Sequence, residues 1–336
     1  MVITRTPFRI SFFGGGTDYP IWYREHGGAV LSATIDKYCY ITTRYLPPFF
    51  DCKYRIRYGR QEEVNALADI QHPSVRECLA HLTFDQGIEM QHNTDVPGMS
   101  GIGSSSAFTV GFLNALHALE GKTISKDALA RSAIHVEQNM IKENVGSQDQ
   151  VAAAFGGLNK IYFGGQDELR VEPVDISQES MRIFHGRLML FFTGYPRNAS
   201  EIAAEQIKTT PQKAKELTRM RTMVDEAYEI LKGSPESIDD FGKLLHEGWL
   251  VKRSLTSKIS TSAIDTMYAD AQSAGAIGGK LLGAGGGGFM LLFVRPEDQS
   301  RVRAKLGQYL HVPFRFENLG STVIYSMNPD SEQFLA

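Results

Sequence analysis

Residues Val96–Ala107 read VPGMSGIGSSSA, and the use made of this stretch decides the fold. Glycines stand at 98, 101 and 103, and Ser104, Ser105 and Ser106 follow. An apolar run with helical spacing comes next: Phe108, Val110, Phe112, Leu113 and Leu116. Glycine lets backbone amides approach a ligand closely, and the first-turn amides of a helix have no partner inside it. Those amides and the positive end of the helix dipole attract phosphate. Serine hydroxyls add donors and can ligate Mg²⁺, a hard cation that prefers oxygen. The plain alternative is a flexible loop closed by a serine N-cap.

Composition bounds the rest. The chain has 336 residues, long for one core, which predicts two domains. Apolar residues make up 42% and charged residues 22%, as in soluble globular proteins. A net charge of −3 gives no electrostatic case for nucleic acid. Cys39, Cys52 and Cys78 form no metal-ligand spacing, and an odd count argues against a disulfide framework, so a reducing cytoplasm is expected. The N-terminal residues lack the pattern of a signal peptide, and no run approaches the length of a membrane span.

Along the chain, strands are predicted at residues 1–13, 29–35, 38–45, 54–58 and 88–92. A helix follows the serines as far as about Gly121, and another runs from about Ser125 to Asn144, its apolar face marked by Leu129, Ala133, Val136 and Met140. Strands at 158–163 and 169–174 precede a boundary, giving domains at 1–180 and 181–336. The second half reads as strand 187–193, helices near 199–208, 211–232, 235–257 and 262–273, strands 276–282 and 288–294, a helix 297–310, then strands 313–318 and 321–327. Two α+β domains, each with helices against a mostly antiparallel sheet, are the natural reading.

A second glycine cluster spans Gly283–Gly288. It formally satisfies G-x-G-x-x-G, but a dinucleotide site needs a helix after the loop, and Phe289–Val294 reads as a strand. A glycine hairpin admitting a backbone or ligand is the better account. Gly121-Lys122-Thr123 lacks the leading glycine of a Walker loop, and Gly103–Ala107 lacks the strand that feeds a nucleophile elbow. Glu137 and Asp149 arrive from a helix and the next loop. One could hold Mg²⁺ while the other orients a hydroxyl proton; equally, one could be a surface residue and the other a helix cap. Arg9, in a strand before Gly14-Gly15-Gly16, could neutralise charge on a transferring phosphoryl group. Asp18 could accept hydrogen bonds from a polyol or close an Asx-turn.

In order, these pieces resemble the GHMP kinase superfamily over nearly the whole chain. Thr6–Pro20 (TPFRISFFGGGTDYP) resembles its first motif, Pro97–Ala107 (PGMSGIGSSSA) its second with Ile102 in place of leucine, and Lys280–Phe289 (KLLGAGGGGF) its third. The resemblance implies a two-domain fold: an N-terminal domain like ribosomal protein S5 domain 2 and a ferredoxin-like C-terminal domain, with ATP between them. It implies that Pro97, Gly98, Ser100, Gly101, Ile102, Gly103, Ser104, Ser105 and Ser106 hold the nucleotide. Ser105 and Glu137 would ligate Mg²⁺, with Ser104 as the alternative hydroxyl. Asp149 would be the acid/base and Arg9 its partner in phosphoryl transfer. Gly14, Gly15, Gly16, Thr17 and Asp18 would face the acceptor, and Gly285 and Gly286 would lie near the transferred phosphate.

Galactokinases carry Gly-Glu-His-Thr-Asp in the first motif, where this chain has Gly14-Gly15-Gly16-Thr17-Asp18, so the site is roomier and galactose is disfavoured. The GGGTD form, with His72–Glu77 and Thr193–Arg197, is similar to the D-glycero-D-manno-heptose 7-phosphate kinases. That similarity implies transfer from ATP to the anomeric hydroxyl of a sugar phosphate, with Arg197, then Arg76, as candidates for the acceptor's own phosphate. A kinase for an unphosphorylated sugar such as fucose, and a non-catalytic sugar- and ATP-binding sensor, are the alternatives. A homodimer is compatible with this reading.

Overall fold

The computed structural model describes residues 1–98, 100–164, 169–194 and 199–327. In chain order the first strands are β1 (Val2–Phe13), β2 (Gly28–Tyr45), β3 (Tyr54–Arg57), β4 (Gln61–Val64), β5 (Ile88–Thr94), β6 (Leu158–Phe163) and β7 (Leu169–Pro173). Then come β8 (Leu188–Phe192), β9 (Ala276–Leu281), β10 (Phe289–Val294), β11 (Leu310–His311), β12 (Phe316–Glu317) and β13 (Thr322–Ser326).

Strand β2 is the spine of the larger sheet. One edge of it pairs with β1 along most of its length. The other edge pairs in turn with β6 over residues 28–33, β12 over 34–35 and β5 over 39–45. The β3–β5 pair is parallel and the others are antiparallel. Two strands were expected where β2 is one, because Asp36-Lys37 interrupts the apolar pattern. The structure absorbs that pair as a bulge: Pro7 faces Tyr38 and the next residue, Phe8, faces Ile35. Asp36 is satisfied there by the backbone of Arg315, which donates to its carboxylate at 2.8 Å.

The smaller sheet has the order β11-β8-β10-β9, all antiparallel. Numbered from its own first strand this is 4-1-3-2, with helices between strands one and two and between three and four, so it is the expected ferredoxin-like arrangement. Its helices include Ala214–Lys232 and Ile238–Arg253, whose buried faces carry Leu217, Val224, Phe241, Leu245 and Trp249. A 3₁₀ turn at Thr210–Gln212 takes up Pro211, so the helix expected from there starts later.

The division at 180/181 does not separate the two sheets. Strands β12 and β13, from the end of the chain, pair with β2 and β1. Ser321 reinforces the return: its amide donates to the Ala153 carbonyl at 2.8 Å, and its hydroxyl meets Thr6 Oγ1 at 2.8 Å. The cores interlock as well. Phe12, Phe13, Phe184, Phe241 and Phe293 belong to one continuous cluster, while Trp22 packs into the cluster of Trp249 and Tyr268. No helix among the described residues is long and apolar enough to cross a membrane.

Candidate active site

The second and third glycine loops meet, and the first touches Gln148, the residue before Asp149. The helix Ser104–Leu119 begins at Gly103, which takes the left-handed conformation (φ 78°, ψ 29°). No side chain caps it, so the serine N-cap is not what these residues build. The loop before it is stitched to β1: the Arg9 amide donates to the Ile102 carbonyl at 3.0 Å, and Arg9 Nη1 donates to the Gly101 carbonyl at 2.7 Å. From the other domain, Gly288 lies so close to this loop that a Cβ there would overlap the Ser100 carbonyl oxygen. Thr193 holds Gly288 in place through its amide and hydroxyl, both donating to the Gly288 carbonyl.

Arg9 and Asp149 form the centre. Arg9 is 4% exposed, and its guanidinium donates from Nε and Nη2 to the two Asp149 oxygens at 2.7 and 2.8 Å. This two-pronged geometry fixes the carboxylate plane. Asp149 opens the helix Gln148–Phe155, which places it opposite Gly103; a Cβ on Gly103 would stand 3.4 Å from Asp149 Oδ2.

Glu137 is fully buried. The helix Lys126–His135 does not continue to Asn144 as expected, but passes into a π-helical turn, Val136–Met140, that carries this glutamate. Such a turn widens the helix and redirects a side chain. Glu137 Oε2 accepts from Ser106 Oγ at 2.8 Å and from Gln150 Nε2, while Oε1 has no partner among the described residues. Burial pushes its pKa up to about 7, against the opposing side chains of Thr109, Ser106 and Gln150. A buried carboxylate oxygen without a donor suits a hard cation, so the residues fit Mg²⁺. It is Ser106 that hydrogen-bonds Glu137 directly. Ser106 points inward from the first turn of its helix and is buried, whereas Ser105, one residue earlier, is exposed.

Asp18 is 1% exposed and satisfied by protein: Oδ1 accepts from the Gly16 amide at 2.8 Å, and Oδ2 accepts from Gln148 Nε2 at 3.0 Å. Burial raises its pKa, and the nearby Asp149 charge adds to the rise against the Gly16 and Gln148 amides. Thr17 is a hub of the loop, donating to the Gly14 and Ala29 carbonyls and accepting from the Ala29 amide. Gly14 packs against the Ala29 carbonyl, where a Cβ would overlap it. Thr17 and Gly14 therefore shape the loop from behind, and Gly15 faces polar groups at the site. Gly16 faces Leu217 and Leu255 of the second domain. Gly286 is anchored through its amide to the Ile259 carbonyl at 2.9 Å, and Gly285 packs on Ile259.

Among the described residues, Arg76 makes no hydrogen bond or ion pair with the Gly14–Asp18 loop. Its side chain binds Glu77 and the Ile70 carbonyl, because His72 caps the helix Pro73–His81 and Arg76 folds back over that start. Arg197 lies outside the described residues. One site residue escaped the sequence reading. Lys280, 6% exposed, donates to the Phe12 carbonyl at 2.8 Å, and its pKa is pushed down to about 7 by burial and by the Arg9 charge, against Asp18. It sat in plain view beside the glycine cluster, but a lysine in a strand reads as a solvent-facing residue.

The family model for the GHMP kinases N terminal domain matches residues 72–157, and that for the GHMP kinases C terminal matches residues 223–312. Together they span a little over half of the chain. The chain is 29% identical over 309 residues to the D-glycero-alpha-D-manno-heptose 7-phosphate kinase of Campylobacter jejuni, covering 87% of this chain and 89% of that protein. It is 23% identical to the bifunctional fucokinase/GDP-fucose pyrophosphorylase of Arabidopsis thaliana, covering 93% of this chain and 32% of that protein. A solved structure of a D-glycero-D-manno-heptose 1-phosphate kinase from Bacteroides thetaiotaomicron superposes with a TM-score of 0.78 at 22% identity, over 97% of this chain and 100% of that one, which shows the fold.

Proposed function

This chain belongs to the GHMP kinase family, and from that premise we propose that it transfers the γ-phosphoryl group of ATP to the anomeric hydroxyl of D-glycero-D-manno-heptose 7-phosphate, in the cytoplasm, on the route to GDP-heptose. The observation that carries the chemistry is the two-pronged Arg9–Asp149 pair, with Asp149 opposite Gly103 of the second glycine loop. The likeness to the Campylobacter heptose 7-phosphate kinase over 87% of the chain supports the acceptor.

Asp149 keeps an oxygen lone pair for the acceptor hydroxyl and takes its proton as the oxygen attacks phosphorus. Arg9 holds that carboxylate in one orientation and offsets negative charge as it develops. The uncapped amides at the start of helix Ser104–Leu119 hold the nucleotide phosphates. Glu137, with a hydroxyl from the serine run, would hold Mg²⁺, which supplies charge neutralisation at those phosphates. On sequence grounds Arg197 is the cation for the acceptor's phosphate.

A fucose kinase is the second reading, favoured by the likeness to the plant fucokinase over 93% of the chain. ADP release measured across a sugar panel decides between them. Heptose 7-phosphate is expected to give the highest kcat/KM. A higher value for L-fucose, or for the unphosphorylated heptose, overturns the proposed acceptor.

A further inference from the structure

The third glycine loop, Gly283–Gly288, lies between β9 and β10 and is gripped by its carbonyls. Lys252 Nζ donates to the Leu281 carbonyl at 3.1 Å and to the Gly283 carbonyl at 2.5 Å. Gln206 Nε2 donates to the Ala284 carbonyl at 3.1 Å. Both side chains come from helices of the second half: Gln206 from Ala199–Thr209 and Lys252 from the last turn of Ile238–Arg253. Lys252 is 6% exposed, so its ammonium sits beneath the loop and not on the surface.

The amides of the loop are used differently. Gly286 donates to the Ile259 carbonyl, whereas the Gly283, Ala284 and Gly287 amides donate to no group among the described residues. Gly283 and Ala284 are half-buried, so this part of the loop keeps an open face. Gly283, Gly285, Gly286 and Gly288 take positive φ, a backbone form that gathers N–H groups into a concavity for anions. The peptides are trans, and a trans peptide sets its C=O and N–H on opposite sides. Drawing the Gly283 carbonyl back to Lys252 therefore turns the Ala284 N–H away from the lysine. A cation on a carbonyl oxygen also pulls electron density through the peptide and strengthens that N–H as a donor.

We propose that Lys252 is a positioning residue for phosphoryl transfer: it holds the Gly283 carbonyl to the rear and strengthens the Ala284 amide as a donor to the phosphoryl group in transit. Gln206 supports the next carbonyl in the same way. Lys252 itself touches neither nucleotide nor acceptor in this role and acts through the loop. The inference rests on the proposed kinase reaction and on the third glycine loop lying beside the transferred group. The close approach of Gly288 to Ser100 of the nucleotide loop supports that placement.

The test uses the full chain with ATP and the sugar of the panel that the wild type uses best. Lys252→Met keeps the length and helix propensity of the side chain but removes the donor and the charge. It is expected to lower kcat by about tenfold, since a weakened donor costs less than a deleted one. Affinity for ATP, measured by calorimetry, should stay within about threefold, because the gain is confined to the transition state. That split between kcat and affinity is what a merely structural prop would not produce. A kcat within about twofold of wild type overturns the proposal, as does a loss of ATP affinity as large as the loss of kcat. Should Lys252→Met not fold, Lys252→Gln is measured against the same criteria. A panel led by another sugar removes heptose 7-phosphate as the acceptor and leaves this test intact. A panel led by heptose 7-phosphate, with Lys252→Met as active as wild type, removes the role of Lys252 and leaves the acceptor standing.

Discussion

Asp149 keeps 16% of its side chain exposed, whereas Asp18 and Glu137 are closed off from solvent. Of the three carboxylates, then, it is the one an acceptor can reach. Asp149→Asn keeps the shape and removes the basic oxygen. It is expected to lower kcat by at least about 100-fold, the usual worth of general-base assistance, while ATP affinity measured by calorimetry changes little. An unchanged kcat removes the assigned role. Lys280 supplies a pH signature. Its pKa falls on folding from 10.5 to about 7, chiefly through burial. Between those values the unfolded chain binds more protons than the native one, so this group makes stability rise with pH across that window. The slope is at most about 1.4 kcal/mol per pH unit for one proton. Urea unfolding at pH 7 and pH 9 should show wild type gaining more with pH than Lys280→Met; equal gains would mean that the native lysine keeps an ordinary pKa.

At the level of elements, the motifs were legible but their joints were not. The helix starting near Ser104 and the hairpin between β9 and β10 follow from glycine placement and apolar runs. The π-helical turn at Val136–Met140 does not, since the apolar spacing of Leu129, Ala133, Val136 and Met140 fits an ordinary α-helix. Its cause is tertiary: Glu137 turns toward Ser106 and Gln150, which come from two other helices. The contact of Gly288 with Ser100 is of the same kind, joining residues far apart in the chain. Gly288→Ala would set a methyl against a carbonyl oxygen, and its φ of 103° already disfavours any side chain. The variant is expected to lose about 1–3 kcal/mol of stability, as strained backbone positions do, and to weaken ATP binding, because the nucleotide loop must shift to make room. Denaturant midpoints and ATP titration check both; wild-type values for both would show that the loops do not touch.

For the molecule as a whole, the interlocked cores predict one unfolding unit. Trp22 sits with Trp249 in the second cluster, and Phe241 and Phe293 of the second half sit in the first. Fluorescence reports the second cluster and far-ultraviolet circular dichroism the entire fold, so their urea transitions should coincide. Ending the chain after Phe314 removes β12 and β13, which strips the outer edge of β1 at Val2–Arg5 and leaves Thr34 and Ile35 of β2 without their partners on that side. It should lower both midpoints together, and separate transitions would show that the halves fold independently.

Sequence alone determined the class of fold, the kinase family and the identity of Arg9, Glu137 and Asp149 as residues of interest. Local chemistry is enough for this: glycine patterns mark where backbone must come close, and alternation or helical spacing marks which faces are buried. Only the tertiary structure decided which groups meet. It hydrogen-bonded Ser106 to Glu137, tied Thr17 to the Gly14 and Ala29 carbonyls, and paired Arg76 with Glu77 and the Ile70 carbonyl. It also carried the last strands back to the first sheet and brought Gln148 and Lys280 to the site. The reason is that a hydrogen bond or a buried charge is settled by partners distant in the chain, and no local pattern encodes a partner's position.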